Sequence, residues 1–242
     1  MSAEEEYAKI SHEYVKSKQH IWRKHVEEYS IREILGSAEN LNVLELACGA
    51  GHYSNKLLNE WRIAGTLLAT DISPEMIALA KATYPEINFA VADACGTSLV
   101  GNNDLVFAAY LINYCSNYPM LLSMCQTIKQ NLLPEGKFIS VNDGIRQDEK
   151  TYPQVAGLKK SLHQPERKDF SPFTVLLSDT ENGSDKGCEF TNYWISEETI
   201  KSAFRQVGFR QVEILPVKKS CQDTICNDFL EKEVICLIYA VK

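Results

Sequence analysis

Between residues 41 and 141 the chain alternates short apolar runs with stretches of helical character, and that alternation leaves few folds open. The runs are Leu41–Ala47, Thr66–Thr70, Asn88–Ala92, Asp104–Ala109 and Lys137–Val141. Each has the length of a buried strand. Helices are expected over Gly51–Trp61, Pro74–Thr83 and Pro119–Leu132. Ser73 offers an N-cap oxygen, Pro74 suits the first helical turn, and Leu133-Pro134-Glu135-Gly136 stops the third helix. Strands that alternate with helices at this rhythm pair in parallel through right-handed crossovers and are covered on both faces. The expected fold class is α/β, a doubly wound, mostly parallel sheet.

The rhythm breaks after Asp143. Residues 144–169 are polar and contain Pro153 and Pro165. Two β-rich runs follow, Phe173–Leu177 and Glu189–Ile195, joined by a stretch rich in turn residues. They predict an inserted β-hairpin, with 144–195 acting as a cap over a pocket. Ser196 then caps a helix that runs to Val207 and ends at Gly208. Gln211–Val217 and Glu233–Val241 are expected to pair antiparallel across a loop at 218–232. At the other end, Ile10, Tyr14, Ile21, His25, Ile31 and Ile34 recur near helical spacing, so residues 1–36 are expected to form a helical lid. All 242 residues are read as one domain.

Charge and composition exclude several classes. The net charge is −7, and Lys159-Lys160, Arg167-Lys168 and Lys218-Lys219 are isolated pairs, read as solvated surface. A nucleic-acid binder would carry a basic stripe. No apolar run approaches the roughly 20 residues that span a bilayer. The opening MSAEEEYAKI lacks a basic stretch ahead of an apolar one, so a cytosolic protein is expected. The eight cysteines form no C-x-x-C pair and have no histidine at zinc-ligand spacing. They are expected to be free thiols, mostly buried, with no metal; a disulfide between Cys221 and Cys226 is the alternative.

The sharpest local signal is Val43–Ser54, VLELACGAGHYS. An apolar strand ends near Glu45. A loop of small residues follows, Ala47-Cys48-Gly49-Ala50-Gly51, and then a helix begins. Small residues let a ligand approach the backbone, and a helix N-terminus offers free N–H groups. The loop lies at the carboxyl end of the first strand, where open α/β sheets bind ligands. Two acids fall at matching places. Asp71 ends the second strand, where it can accept both hydroxyls of a ribose. Asp93 ends the third, where it can accept from an adenine amino group.

These residues resemble the class I S-adenosylmethionine-dependent methyltransferases. The first motif of that family, E/D-x-G-x-G-x-G, is matched by Glu45-Leu46-Ala47-Cys48-Gly49-Ala50-Gly51, with Ala47 in place of the first glycine. The resemblance also covers the LLPEGKF stretch at Leu132–Phe138 and the tail from Tyr193 to Leu215. It implies a seven-stranded sheet of order 3-2-1-4-5-7-6 with the last strand antiparallel. It implies S-adenosyl-L-methionine as cofactor, with Asp71 on the ribose and Asp93, beside Ala94, on the adenine. Ile72, Met76 and Tyr110 complete the candidate cofactor contacts, with Met76 packing either on adenine or in the core. The opening Tyr7–Tyr14 resembles the Y-x-x-I-x-x-x-Y start of small-molecule enzymes of the superfamily, the toxoflavin-synthase-like group. That implies Tyr14 over the cofactor, hydrogen-bonded to its carboxylate, with Lys18 a second candidate one turn later.

The expected reaction is in-line methyl transfer to a small-molecule acceptor, in which positioning supplies much of the rate. A base is needed only if the acceptor must lose a proton early. His12, Tyr14 and Asn113 are the candidate catalytic residues. A homodimer is compatible with an exposed N-terminal helix. Three other readings compete. A nicotinamide dehydrogenase would need a third glycine where Ser54 stands, and gives Asp93 no part. A nucleic-acid methyltransferase acting on a base amino group would carry N/D-P-P-Y/F/W where this chain has Ala109–Tyr114. A protein that binds the cofactor without methylating would keep the same loop and acids.

Overall fold

The computed structural model describes residues 17–96, 101–146, 154–164, 166–178 and 187–242. A short 3-10 turn, Ser17–Gln19, leads into a wide helical turn, Arg23–Glu28, and helix α1, Tyr29–Leu35. Strand β1 (Leu41–Leu46) follows, then α2 (His52–Asn55), continued by a wide turn at Lys56–Glu60. Strand β2 is Ala64–Asp71, α3 is Pro74–Thr83, β3 is Asn88–Val91 and β4 is Asn103–Ala109. A 3-10 turn, Leu111–Tyr114, precedes α4 (Tyr118–Gln130) and β5 (Leu132–Asp143). Four strands follow: β6 (Gln154–Val155), β7 (Leu158–Leu162), β8 (Ser171–Ser178) and β9 (Gly187–Trp194). The chain closes with α5 (Glu197–Gln206), β10 (Gln211–Pro216), α6 (Thr224–Glu231) and β11 (Ile235–Val241).

The main sheet has seven strands in the order β3-β2-β1-β4-β5-β11-β10. Numbering only its own strands, that order is 3-2-1-4-5-7-6. The first five pair in parallel, and β11 runs antiparallel to both β5 and β10. Its central strands are apolar on both faces, as a parallel sheet under two helical layers requires. On β4, Leu105 and Phe107 join one core, with Val43, Tyr53 and Leu57. Val106 and Ala108 join the other, with Leu121, Ile128 and Phe204. The strand period of two makes this division. Phe107 and Phe138 are fully enclosed, and each contributes about 2–3 kcal/mol by leaving water.

Three expectations are corrected. The stretch Leu133–Gly136 does not stop a helix from outside. The helix ends earlier, where Asn131 Nδ2 donates to the Thr127 carbonyl at 2.8 Å, and Leu133–Gly136 already belongs to β5, next to a register irregularity opposite Asn103 and Leu105. The loop at 218–232 contains α6, capped by the Asp223 side chain. The expected hairpin exists as β8 and β9, but it is half of a four-stranded antiparallel sheet, β6-β7-β8-β9.

Lys160 explains why that second sheet was hard to read. It is 3% exposed, and its Nζ lies 2.7 Å from Asp143 Oδ1 and donates to the Val234 carbonyl at 2.8 Å. Asn192 Nδ2 donates to the other Asp143 oxygen at 2.5 Å. A lysine read as solvated surface is thus the buried pin between β7 and the end of β5. The apolar face of the second sheet, with Leu158, Phe173, Val175 and Phe190, packs into the core that holds Trp22 and Phe229.

Candidate active site

The tips of β1, β2 and β3 open into a cavity of about 370 Å³. The loop after β1 forms its floor. Ala47, Gly49 and Gly51 all have positive φ, at 54°, 54° and 85°. Ala47 takes that conformation at a cost of about 1 kcal/mol, where glycine would take it freely. The Cys48 amide donates to the Thr70 carbonyl at 2.9 Å, and the Gly51 amide to the Cys48 carbonyl at 3.0 Å. A Cβ on Gly49 would meet no atom within 4 Å, so its backbone is open to a ligand. A Cβ on Gly51 would stand 2.9 Å from the Phe89 ring. Gly51 is therefore required by packing beneath the loop, and it does not line the cavity.

Asp71 closes the loop from the next strand. Its Oδ2 accepts from the Gly49 amide at 2.8 Å and its Oδ1 from the Ser73 amide at 2.9 Å. Burial raises its pKa, and the N–H groups of Ser73, Gly49 and Ile72 partly offset the rise. A carboxylate offers about four lone-pair sites, so accepting capacity remains toward the cavity. Ser73 caps α3 by accepting from the Met76 amide at 3.2 Å. That turn carries Ile72, 40% exposed, to the cavity rim, and buries Met76 completely. Met76 is not on the wall, which matches the core-packing alternative of its two readings. Asp93 Oδ1 accepts from the Cys95 amide at 2.7 Å, and Asp93 and Ala94 both line the wall.

Glu45 lies at the back of the cavity, fully enclosed. Among the described residues its one hydrogen-bond donor is the Ser54 hydroxyl, at 2.5 Å. Burial pushes its carboxyl up to about 8; Ser54 and Lys18 act against the rise, and the Asp71 charge adds to it. Half-buried Lys18 enters the wall from the N-terminal segment, 5.6 Å from the centre of the Tyr53 ring. His52 stands opposite the loop and hydrogen-bonds Glu28 at 3.0 Å.

Of the expected cofactor contacts, Glu45, Ala47, Gly49, Asp71, Ile72, Asp93 and Ala94 share this one wall. Tyr110 does not. It follows β4 with φ 65°, and its hydroxyl donates to Glu27 behind the cavity. Asn113 does not either. It is buried with its Oδ1 accepting from the Asp143 amide at 3.1 Å, so it anchors the loop after β4 to the end of β5 and does not line the cavity. Tyr14 and His12 lie outside the described residues. None of the described residues of 144–195 lines the cavity, and residues 147–153, 165 and 179–186 of that expected cap lie outside the described residues.

The sequence reading overlooked a buried cluster on the first helical segment. Glu27 accepts from Arg23 at 2.9 and 2.8 Å and from the hydroxyls of Tyr53 and Tyr110. Burial would raise its pKa, but Arg23, Lys18 and the two tyrosines lower it below the usual value. The signal was present: Arg23, Val26, Glu27, Ser30 and Ile31 follow helical spacing and share the buried face. The isoleucine and histidine pattern had selected Ile31 of these, but Ile21 and His25 in place of Arg23, Val26 and Glu27.

This wall fits an adenosyl sulfonium. Carboxyl groups stand at three adjacent strand tips, an open glycine backbone forms the floor, and Ile72 and Ala94 offer apolar surface for a base. Residues 43–136 match a family model described as a methyltransferase domain. The fold is shared with solved structures of low identity. An S-adenosylmethionine-dependent methyltransferase from Mesorhizobium loti is 18% identical, with a TM-score of 0.62 over 89% of this chain and 97% of that one. One from Clostridium acetobutylicum is 15% identical, with a TM-score of 0.56 over 97% and 91%. CalS10 from Micromonospora echinaspora, an amino pentose methyltransferase solved with S-adenosylmethionine bound, is 14% identical, with a TM-score of 0.59 over 94% of each chain. The methyltransferase-domain model thus spans the glycine loop and all three acids, on the sheet order that the resemblance implied, and the chain shares its fold with S-adenosylmethionine-dependent methyltransferases.

Proposed function

We propose that this enzyme methylates a small molecule, and that the wall at the tips of β1–β3 holds the cofactor in one orientation. The bound cofactor supplies an electrophilic methyl group on a sulfonium. Asp71 accepts from the ribose hydroxyls with the lone pairs left free by Gly49 and Ser73. Asp93 and Ala94 take the adenine edge, and Ile72 covers its face. Glu45 receives the ammonium of the methionine end, and a cation there removes the cost of ionising it. Lys18 faces the carboxylate. Residues 17–35 serve as part of a cover, supported by Lys18 and Gln19 on the cavity wall.

The acceptor side is formed by Leu111, Tyr114, Met120 and Met124. These side chains suit an acceptor with an apolar or flat body, and they exclude water from the transfer line. The observation that carries the small-molecule reading is this recessed, largely apolar wall in a protein of net charge −7. A nucleic-acid acceptor would need a basic approach. CalS10, whose acceptor is an amino pentose by its description, offers a precedent on the same fold.

Two measurements test this. Calorimetry with S-adenosylhomocysteine should give one site, weakened by Asp71→Ala. Incubation with isotopically methyl-labelled cofactor and a metabolite extract should place label in a low-mass product. Label found only in RNA, DNA or protein would overturn the small-molecule reading and leave cofactor binding untouched.

A further inference from the structure

Cys221 and Cys226 flank the turn that leads into α6. Both are free, and their sulfurs lie 2.7 Å apart, closer than two unbonded thiols normally approach. Cys221 is half-buried on the loop, while Cys226 is fully buried in the core that contains Phe229. The turn between them is fixed, because Asp223 Oδ1 accepts from the Ile225 amide at 2.8 Å.

The same stretch grips the N-terminal helical segment. The Ser220 amide donates to the His25 carbonyl at 2.9 Å, and the Lys218 amide to Ser30 Oγ at 2.8 Å. The Trp22 ring stacks on Phe229 of α6 with centres 4.6 Å apart. That segment carries Lys18 on the cavity wall and Arg23 and Glu27 behind it.

We propose that Cys221 and Cys226 are a dithiol couple that closes to a disulfide and fastens the α6 turn onto the segment walling the cavity. The oxidant is a low-molecular-weight disulfide, RSSR. The Cys221 thiolate, reachable from solvent, attacks one sulfur of RSSR. A Cys221–SR bond forms, the reagent's S–S bond breaks, and RS⁻ leaves and takes up a proton. The Cys226 thiolate then attacks Cys221 Sγ and expels the second RS⁻, which is also protonated. The two protein sulfurs together give up two electrons, and RSSR ends as two RSH. Burial, with Cys221 alongside, pushes the Cys226 thiol up to about 12. The second step is therefore slow per encounter, and it proceeds because the two sulfurs are already in contact.

The test uses the full chain equilibrated in mixtures of reduced and oxidised glutathione, then alkylated under denaturing conditions and digested. The segment spanning Cys221 and Cys226 should lose two hydrogens, while the remaining cysteines stay alkylatable. The melting temperature should rise by a few degrees on oxidation, as closure of a short loop predicts. Dithiothreitol should reverse the rise. Cys221→Ser, a change at a half-exposed site, should abolish both the cross-link and the shift. Cys226→Ala should stop at a glutathione adduct on Cys221. Two outcomes would overturn the couple: a stable glutathione adduct on Cys221 in the unaltered chain, or both thiols still alkylatable in the most oxidising mixture. A disulfide that forms without any melting shift would overturn the fastening role.

Discussion

Glu27 and Glu45 are two fully buried glutamates at the back of one cavity, and the structure pushes them in opposite directions. Burial alone would raise both pKa values. Around Glu27, Arg23 and the hydroxyls of Tyr53 and Tyr110 reverse the effect. Around Glu45 one serine hydroxyl and a more distant lysine do not, and its carboxyl stands at about 8. Burial sets the cost of a charge, and partners decide whether the charge survives. Glu27 already has its counterion and acts as an anchor for the first helical segment. Glu45 has no such close ion-pair partner among the described residues, as the seat proposed above for an incoming cation requires.

The strongest way to break this contrast is to remove the partner on the Glu27 side. Arg23→Met should cost about 3–5 kcal/mol of stability, because it strands a buried carboxylate. Urea unfolding would measure it, and a loss under 1 kcal/mol would mean that the two tyrosines suffice. Glu45→Gln should behave in the opposite sense. Cofactor-product affinity should fall by about 2 kcal/mol, near thirtyfold, as a charged hydrogen bond is lost. Stability without ligand should hold or rise.

The pH dependence separates the two further. Between its unfolded value near 4.5 and its folded value of about 8, Glu45 keeps a proton that the unfolded chain has released. Stability should therefore fall as pH rises across that window, by about 1 kcal/mol per unit, and Glu45→Gln should flatten the slope. Glu27 contributes in the other sense: its stabilisation is full above its unfolded value and is lost as pH falls through its depressed folded value. A slope unchanged by Glu45→Gln would assign the window to another group.

Asp71→Ala sharpens the comparison on a smaller scale. It should weaken S-adenosylhomocysteine at least about tenfold, or ~1.4 kcal/mol. It should also lower the Glu45 pKa by removing a neighbouring negative charge. The smallest expected signal is a fraction of one proton released on binding near pH 7. Calorimetry in buffers of differing ionisation heat would detect it, and Glu45→Gln should remove it.

The contrast also marks how far the sequence could be read. The sheet and three of the acids that line the cavity were legible because strand ends are punctuated by small residues and caps: Gly49, Asp71-Ile72-Ser73-Pro74, Asp93-Ala94. The Glu27 cluster was not, because a buried Arg–Glu pair four residues apart on a helix looks like a solvated face until its neighbours are known. Lys160 was misread for the same reason. Gly51 was legible as a motif residue, but its packing against the Phe89 ring, away from the cavity wall, is invisible in sequence. Tyr110 and Asn113 stand in the right stretch of chain, but the hydroxyl of one binds Glu27, the side-chain oxygen of the other accepts from the Asp143 amide, and neither lines the cavity.

The place of β11 has a consequence for how the molecule is made. Residues 235–241 lie between β5 and β10, hydrogen-bonded to both. While the ribosome is still short of residue 235, β5 has a bare edge and β10 has no neighbour to join. The half that carries the glycine loop, from β1 to β4, can settle first from contacts close in sequence. The other half must wait for nearly the whole chain, leaving an open strand that chaperones or stray β-edges could capture.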